Sequence, residues 1–593
     1  MRNAIIYIII ATSNLLFANT DSLKTYKGEA IEVLGERELW VESDSTKSDY
    51  INTSVLSEAA KLSPSLFFTR RSILGLGLAT SSAAKIYLFG LGGVPTTQVA
   101  ILWDGDPLIM GLMGHPVFDA VDCPSGGVVE LFRGATPSLS QSAMGGAINI
   151  KTKRLANDGL NTFVEGVMGS FKTRRLTGQA LIKRDKFDFG FDYSSSSSDG
   201  FRNDSRDDYK SERFGGHIGL KTKSDDFLLV YRHDWFKLFD PGTETEPLSN
   251  AWYNITRWHS HISWRHSFNR DAFKASYFVH SGHHAIFTGF RSNDLSWGVK
   301  TMYTHEFSWG TVGAKLMCIQ YGGKVIRGPK TGDFWDTDYQ STIWGKYDSQ
   351  KFSLKISATM FYRKDFGIHI APEFEFSKKI LGLTSSAKLS NGFRFPCIRE
   401  LRVFPWSNPS LEPENAWTAQ LGFRKSISLL NIKAFIWYTY AENLIKTGYP
   451  GHPYSNSGLF RRPGFELSIS SNSQASFGFQ LGFAHQELGE KRSIGPADHL
   501  VGEFFAKKHL IVPLEFRINF EGASGLYAND LPESKLRSFL VPNLELKADI
   551  TNFLAFRAGV NNIFDMKYYT QAGYPMPPRQ IWAQISVNKM TRF

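Results

Sequence analysis

The chain has 593 residues, enough for two or more domains, and a formal net charge of +11 from 67 Lys and Arg against 56 Asp and Glu. The basic residues are spread out with acids between them, which excludes a nucleic-acid-binding patch and leaves an anionic lipid surface or an anionic ligand as the counterpart. Cys123, Cys318 and Cys397 are odd in number and far apart, without CxxC or Cys/His spacing, so neither a disulfide framework nor a zinc site is expected.

The first twenty residues stand apart. Arg2 is the only charge before an apolar stretch from Ala4 to Phe17, and the chain turns polar at Asn19, Thr20 and Asp21. This is the layout of a secretory signal peptide over residues 1–18, cut near Ala18. The alternative, a membrane anchor, would need a run of about 20 apolar residues. Residues 30–155 carry short apolar runs such as Ile86-Tyr-Leu-Phe89 and Val99-Ala-Ile-Leu-Trp103, separated by turns at Gly75, Gly77, Gly90, Gly92, Gly93, Gly145 and Gly146. Thr53–Leu62 reads as helical, and the whole stretch as a compact mixed α/β domain.

From about residue 160 the dominant period is two. Phe187, Phe189, Phe191 and Tyr193 alternate with Asp188, Gly190 and Asp192, and Leu514, Phe516, Ile518 and Phe520 alternate with Glu515, Arg517, Asn519 and Glu521. Phe477–Ala484 and Leu544–Ile550 repeat the pattern. Successive strand side chains point to opposite faces, so one face is apolar and the other polar or small. Aromatics make up 14% of the chain while mean hydropathy stays at −0.23. A transmembrane barrel reconciles the two, because lipid-facing and lumen-facing residues alternate and aromatic girdles flank the apolar band. A large secreted β-protein is the competing reading. Val587, Ile585, Ala583 and Ile581 share the parity of the terminal Phe593, so the last strand keeps one mostly apolar face to its end.

Several segments of the N-terminal domain resemble, in order, the plug of TonB-dependent outer-membrane receptors. They are Ala30-Ile-Glu-Val-Leu-Gly-Glu-Arg37, Leu56-Ser-Glu-Ala-Ala-Lys-Leu-Ser-Pro64, Ile101-Leu-Trp-Asp-Gly-Asp-Pro-Leu108, Val128-Val-Glu-Leu-Phe-Arg-Gly-Ala135 and Met144-Gly-Gly-Ala-Ile-Asn-Ile-Lys151. Asn391-Gly-Phe-Arg-Phe-Pro396 with Asn408-Pro-Ser-Leu-Glu-Pro-Glu414, and Asn561-Asn-Ile-Phe-Asp-Met-Lys-Tyr-Tyr569, resemble the family's barrel signatures. The resemblance implies a 22-stranded antiparallel outer-membrane β-barrel (160–593) occluded by a mixed α/β plug (38–155). It also implies a Ton box at 29–35 and energised import rather than catalysis. The length allows about 20 residues for each strand and its loop, against about 9–11 for a spanning strand.

An exposed, extended Ton box can add as a strand to a partner's sheet. Glu29, Ala30, Ile31, Glu32, Val33, Leu34 and Gly35 suit that contact with TonB, against the alternative of an ordinary first plug strand. Few residues separate the expected cleavage site from Glu29, which argues against a further signalling domain. By the match, Arg70, Arg71, Met110, Met113 and His115 fall in apical plug loops that meet ligand. Met110, Met113 and His115 could suit copper, could give adaptable apolar contacts, or could simply pack their own loop. His259 and His261 share a strand face with Arg257, Ser263 and Arg265, so they face the lumen, where a metal or haem could meet them or they could be polar lining.

No histidine lies between Pro396 and Asn408, which counts against haem. A ferric siderophore is the favoured ligand, then cobalamin, then haem or copper. The protein is expected to be a monomer beside lipopolysaccharide in the outer membrane of a Gram-negative-type bacterium, with no resident cofactor or metal. An esterase-type hydrolase is disfavoured by the absence of Gly-x-Ser-x-Gly, and a passive porin would leave residues 30–155 unexplained.

Overall fold

The computed structural model describes residues 63–74, 85–93, 96–121, 128–349, 351–471 and 476–593, and the backbone of Val41–Ser45. The expected signal peptide, the 29–35 segment, the helix over Thr53–Leu62 and Cys123 lie outside the described residues.

The period-two sequence builds one closed antiparallel barrel of 22 strands, from Gly159–Gly169 to Gln580–Thr591. The first and last strands pair directly, Trp582 opposite Gly169 and Thr591 opposite Leu160. Closure removes the sheet edge, and in hydrocarbon every backbone N–H and C=O must be paired in this way. Side-chain burial is inverted relative to a water-soluble protein. Ile218, Ile262, Leu316, Ile343, Ile356 and Ile436 are exposed on the outer face, while Ser211, Ser276, Thr359, Thr418 and Thr439 are buried within. The terminal strand obeys the same rule: Ile581 and Ile585 are exposed, while Trp582 and Gln584 between them are buried.

The two ends of the barrel differ. One end is closed by tight turns such as those at 185–186 and 381–382, where Asp185 and Leu381 take positive φ. Near these turns Phe307, Trp309, Tyr347 and Phe352 form a run of exposed rings with successive centroids 4.9, 6.5 and 5.3 Å apart, part of an interfacial girdle. The other end carries longer connections, the longest at 395–413, 443–459, 525–538 and 562–579. These are called the turn end and the loop end below.

The N-terminal domain contributes β1 (Val41–Ser45), β2 (Leu66–Phe68), β3 (Ile86–Leu88), β4 (Val99–Trp103), β5 (Asp106–Pro107), β6 (Val128–Arg133) and β7 (Gly146–Lys151). Its main sheet has the order β1-β6-β7-β4-β5, with β4 and β7 parallel and the other pairs antiparallel; β2 and β3 pair separately. Both faces of β4 are covered, which is why it reads as an unbroken apolar run. Ile101, Leu131, Ile148 and Ile150 pack with Leu66, Phe68 and Leu88, and the cluster reaches Trp437 of the barrel wall. Phe89 stacks on Trp437 with centroids 4.4 Å apart.

Contacts radiate from this domain to the wall on all sides. Trp103 lies under Arg232, Ser138 accepts from Lys315, Thr136 accepts from Lys388, Phe89 accepts from Thr439, and Pro64 meets His499. The described part of the domain therefore occupies the lumen. Besides its strands it holds a short 3₁₀ turn at Phe118–Ala120.

Candidate functional site at the loop end of the barrel

Three polar clusters pin the lumen domain to the wall. At the first, Arg133 at the end of β6 pairs with Glu466 at 3.3 Å, both side chains 1% exposed. The hydroxyls of Ser63 and Ser65 donate to the other Glu466 oxygen, each at 2.6 Å. Gly134 follows with φ +70°, a left-handed conformation that side-chain-bearing residues rarely adopt, so this turn favours glycine.

At the second, Asp106 of β5 bonds His261 and accepts from the Lys300 ammonium at 3.0 Å. Lys300 also donates to the Gly105 carbonyl at 3.0 Å. Burial alone would raise the Asp106 carboxyl; Lys300 and His261 beside it outweigh that and hold it well below the usual carboxylate range, so it stays ionised. His259 meets His280 through their Nδ1 atoms at 2.8 Å, with the rings stacked at 4.5 Å. Both His259 and His261 thus face inward and are buried, and His261 is engaged by the lumen domain.

The third runs through the barrel signature. Arg394 pairs with Glu414 and, in a fork at 2.9 and 3.1 Å, with Glu400. Glu414 also accepts from the Gln98 amide of the lumen domain at 2.9 Å. Asn408 donates to the Tyr454 carbonyl at 2.9 Å, and its own N–H donates to the Glu400 carbonyl at 2.8 Å. The motif residues therefore brace the 395–413 loop and tie it to the lumen domain.

That loop covers the apex of the lumen domain. Its π-helical turn, Arg399–Val403, lies over the segment Leu108–Val117. Met110, Met113 and Val117 join Ile398 and Val403 in one apolar cluster with Phe236, Tyr253, Ile255 and Phe278. Gly111 is pressed against the wall: a Cβ there would lie 2.4 Å from the Gly322 carbonyl oxygen and 2.6 Å from that of Leu295. Its N–H donates to Asp294 at 3.0 Å, and Asp294 is held by Arg257 at 2.6 Å. Gly114, at φ +72°, sits against the Cys397 side chain, where a Cβ would lie 2.3 Å from the Cys397 Cβ.

His115 is buried, and its Nδ1 lies 2.8 Å from the Pro116 carbonyl. Burial, with Arg399 and Arg257 nearby, lowers its pKa to about 3, so the imidazole is neutral. Burial likewise pushes the Cys397 thiol up to about 12, away from the thiolate that binds soft metals. Among the described residues no group of three or more His, Cys, Asp or Glu side chains is arranged to hold a metal ion.

Of the residues singled out from sequence, Met110, Met113 and His115 come together under the 395–413 loop, each at most 9% exposed. Arg71 lies elsewhere, 2% exposed, donating to Gln571 at 3.0 Å with its guanidinium 4.9 Å from the Tyr574 ring. Arg70 is half-buried, its backbone clasped by the Thr570 hydroxyl. Two features were missed. Arg363 forks onto Asp338 at 2.5 and 2.9 Å and donates to the Pro396 carbonyl at 2.6 Å, holding the root of the loop. Arg399 has two buried guanidinium nitrogens, Nε and one Nη, with no hydrogen-bond partner among the described residues, and its charge lies 5.8 Å from the Tyr454 ring. Arg399 stands between the Phe-Arg-Phe-Pro and Asn-Pro boxes, in a segment read only for its missing histidine; Arg363 lies outside that segment, and neither carried a signal of its burial.

Residues 374–563 match the family model described as TonB dependent receptor-like, beta-barrel. No curated protein sequence matches the chain. Among solved structures, the siderophore receptor PirA from Pseudomonas aeruginosa is similar with TM-score 0.72 at 12% identity, covering 93% of this chain and 100% of that one. The FrpB iron transporter from Neisseria meningitidis gives 0.76 at 14%, covering 93% and 99%. The copper transporter OprC gives 0.76 at 12%, covering 94% and 99%. At these identities the likeness speaks for the fold, and the family model speaks for the barrel. Residues 374–563 thus resemble the TonB dependent receptor-like barrel, and the whole described chain shares the fold of these transporters, a closed barrel of 22 strands.

Proposed function

We propose that the protein imports a scarce, bulky, anionic metal chelate, a ferric siderophore, across the outer membrane of a Gram-negative-type bacterium. Residues 1–18 direct export, and Glu29–Gly35 add as a strand to TonB, which supplies the energy to displace the lumen domain. The observation that carries the reading is a closed barrel whose lumen is filled by its own N-terminal domain through buried ion pairs. Passage through such a barrel needs work done on the filling, and a passive pore has no use for it. The structural neighbours named for siderophore and iron transport add support. The preference for an anionic ligand rests on Arg399, whose buried N–H groups lack an acceptor among the described residues just beneath the loop end. A charge-assisted hydrogen bond to such a group is worth roughly 1.5–3 kcal/mol.

Titration of the purified full-length protein with ferric catecholate and hydroxamate siderophores, cobalamin and haem, followed by tryptophan quenching, tests the ligand class. One ferric chelate should bind, and Arg399→Gln should weaken it about tenfold, a change of about 1.4 kcal/mol. Deleting residues 29–35 should leave that binding intact and abolish energy-dependent uptake by cells. Binding of cobalamin alone would replace the ferric reading, and uptake that survives the deletion would remove the TonB-driven one.

A further inference from the structure

The loop-end connection over residues 487–497 forms no strand or helix of its own, so its backbone carbonyls need other partners. Three of them converge on one side chain. Arg462, near the start of strand Phe460–Ser471, donates to the carbonyls of Ile494 at 2.8 Å, Leu488 at 3.2 Å and Lys491 at 2.5 Å. A guanidinium carries five N–H donors in a fixed fork, which lets one residue gather three carbonyls. Arg462 is 0% exposed and makes no ion pair with any described residue. Its Nε is buried without a hydrogen-bond partner among them. A cation out of water with no carboxylate beside it is costly, so the arrangement lasts only while its surroundings keep water out.

The lumen domain supplies those surroundings. The stem of Arg462 lies on the turn after β3: a Cβ on Gly90, at φ +77°, would fall 2.3 Å from the Arg462 Cδ and 2.9 Å from its Cγ. Phe89 seats that turn, its carbonyl accepting from Thr439 and its ring stacking on Trp437. β3 also touches the loop directly. Tyr87 donates to the Ser493 carbonyl at 3.4 Å, and Ile494 packs against both the cluster of Phe67 and Tyr87 and that of Leu91 and Met144. Farther out, Ser493 donates from its N–H and its hydroxyl to the Asp530 carboxylate at 3.0 and 2.7 Å. Arg492 donates to the Asp530 carbonyl at 3.0 Å. A line of contacts thus runs from the lumen domain through Arg462 and residues 487–497 to the 525–538 loop.

We propose that Arg462 couples the seating of the lumen domain to the closure of the 487–497 loop. While Gly90 supports its stem, the guanidinium holds three carbonyls and the loop is shut. When β2 and β3 move away, water reaches the guanidinium, the carbonyls are released, and the 487–497 and 525–538 loops open at the mouth of the barrel. The displacement that opens the lumen thereby clears its entrance. The inference rests on the import reading in one respect, that the lumen domain is displaced in use; the coupling itself is a property of the resting protein.

Trypsin cuts after Lys491 and Arg492, so limited digestion of the purified full-length protein, with fragments read by mass spectrometry, reports opening of this loop. Cleavage there should be slow in the wild type. Gly90→Ala pushes on Arg462 from the side of the lumen domain, and Arg462→Met removes the fork; each should speed cleavage at least tenfold. Barrel strands that stay resistant to trypsin show that each variant is folded. The double variant should be cut no faster than the faster single one, because both act through one contact. Gly105→Ala strains a different turn of the lumen domain, at φ +82° beside Lys300, and should be cut at the wild-type rate. An unchanged rate in Gly90→Ala, multiplied effects in the double variant, or equal acceleration by Gly105→Ala would overturn the coupling. Uptake that survives deletion of residues 29–35 would instead remove the import reading and leave the digestion results standing, so the two fail separately.

Discussion

Arg133 and Glu466 show what single residues do here. Both side chains are out of water, and the two Ser63 and Ser65 hydroxyls satisfy the carboxylate further. A buried pair of this kind gains little over a well-packed apolar pair, but losing one partner strands a charge, at about 3–5 kcal/mol. Arg133→Met and Glu466→Met should each loosen the lumen domain by that order, read as faster limited proteolysis within residues 63–151. The double variant should recover much of the loss, because neither stranded charge remains. Additive losses in the cycle would mean that the two side chains act through other neighbours.

At the scale of elements, the 108–117 segment is held by backbone proximity rather than by its side-chain chemistry. Gly111 touches the carbonyls of Gly322 and Leu295, which belong to paired strands and cannot retreat. Gly111→Ala should therefore lift the segment and strip the cover of the 395–413 loop from Met110 and Met113. Iodoacetamide labelling of Cys397, buried in the wild type, should speed up at least tenfold; an unchanged rate would show that the cover does not depend on this contact.

The same segment shows what could be read from sequence. Period two, the terminal apolar face and the plug motifs carried the barrel and its filling, because strand alternation is a local signal. Asn391–Pro396 was legible as a signature but not as a brace, since its work is done by Arg394 on Glu414 and Glu400, set by the path of a loop. Met110, Met113 and His115 were legible as a chemically distinctive cluster, whereas their burial depends on Ile398 and Val403, almost 300 residues away, which no local pattern reports. Arg399 carried no signal of its own because exposed and buried arginines look alike in a sequence.

For the whole molecule, the barrel and its filling are coupled through separated buried ion pairs as well as many hydrogen bonds and apolar contacts. A 22-stranded barrel encloses a wide lumen, and only the contents stop it from conducting. Arg133–Glu466 and Asp106–His261–Lys300 attach the domain to different stretches of wall, the former at strand Phe460–Ser471 and the latter at strands Trp252–Phe268 and Arg291–Phe307. Loss of one pin leaves the domain tethered at the other, by Gln98–Glu414 and by contacts such as Lys315–Ser138 and Thr439–Phe89. In planar bilayers the wild type should therefore stay closed, and Arg133→Met or Asp106→Ala alone should stay nearly so. The combined variant should open intermittently, because both buried ionic attachments of the domain are then gone and only the weaker polar and apolar contacts hold it. Spontaneous large conductance in the wild type would show that the filling is not a seal. Silence in the combined variant would place the seal in apolar packing, such as Phe89 on Trp437, rather than in the ionic pins.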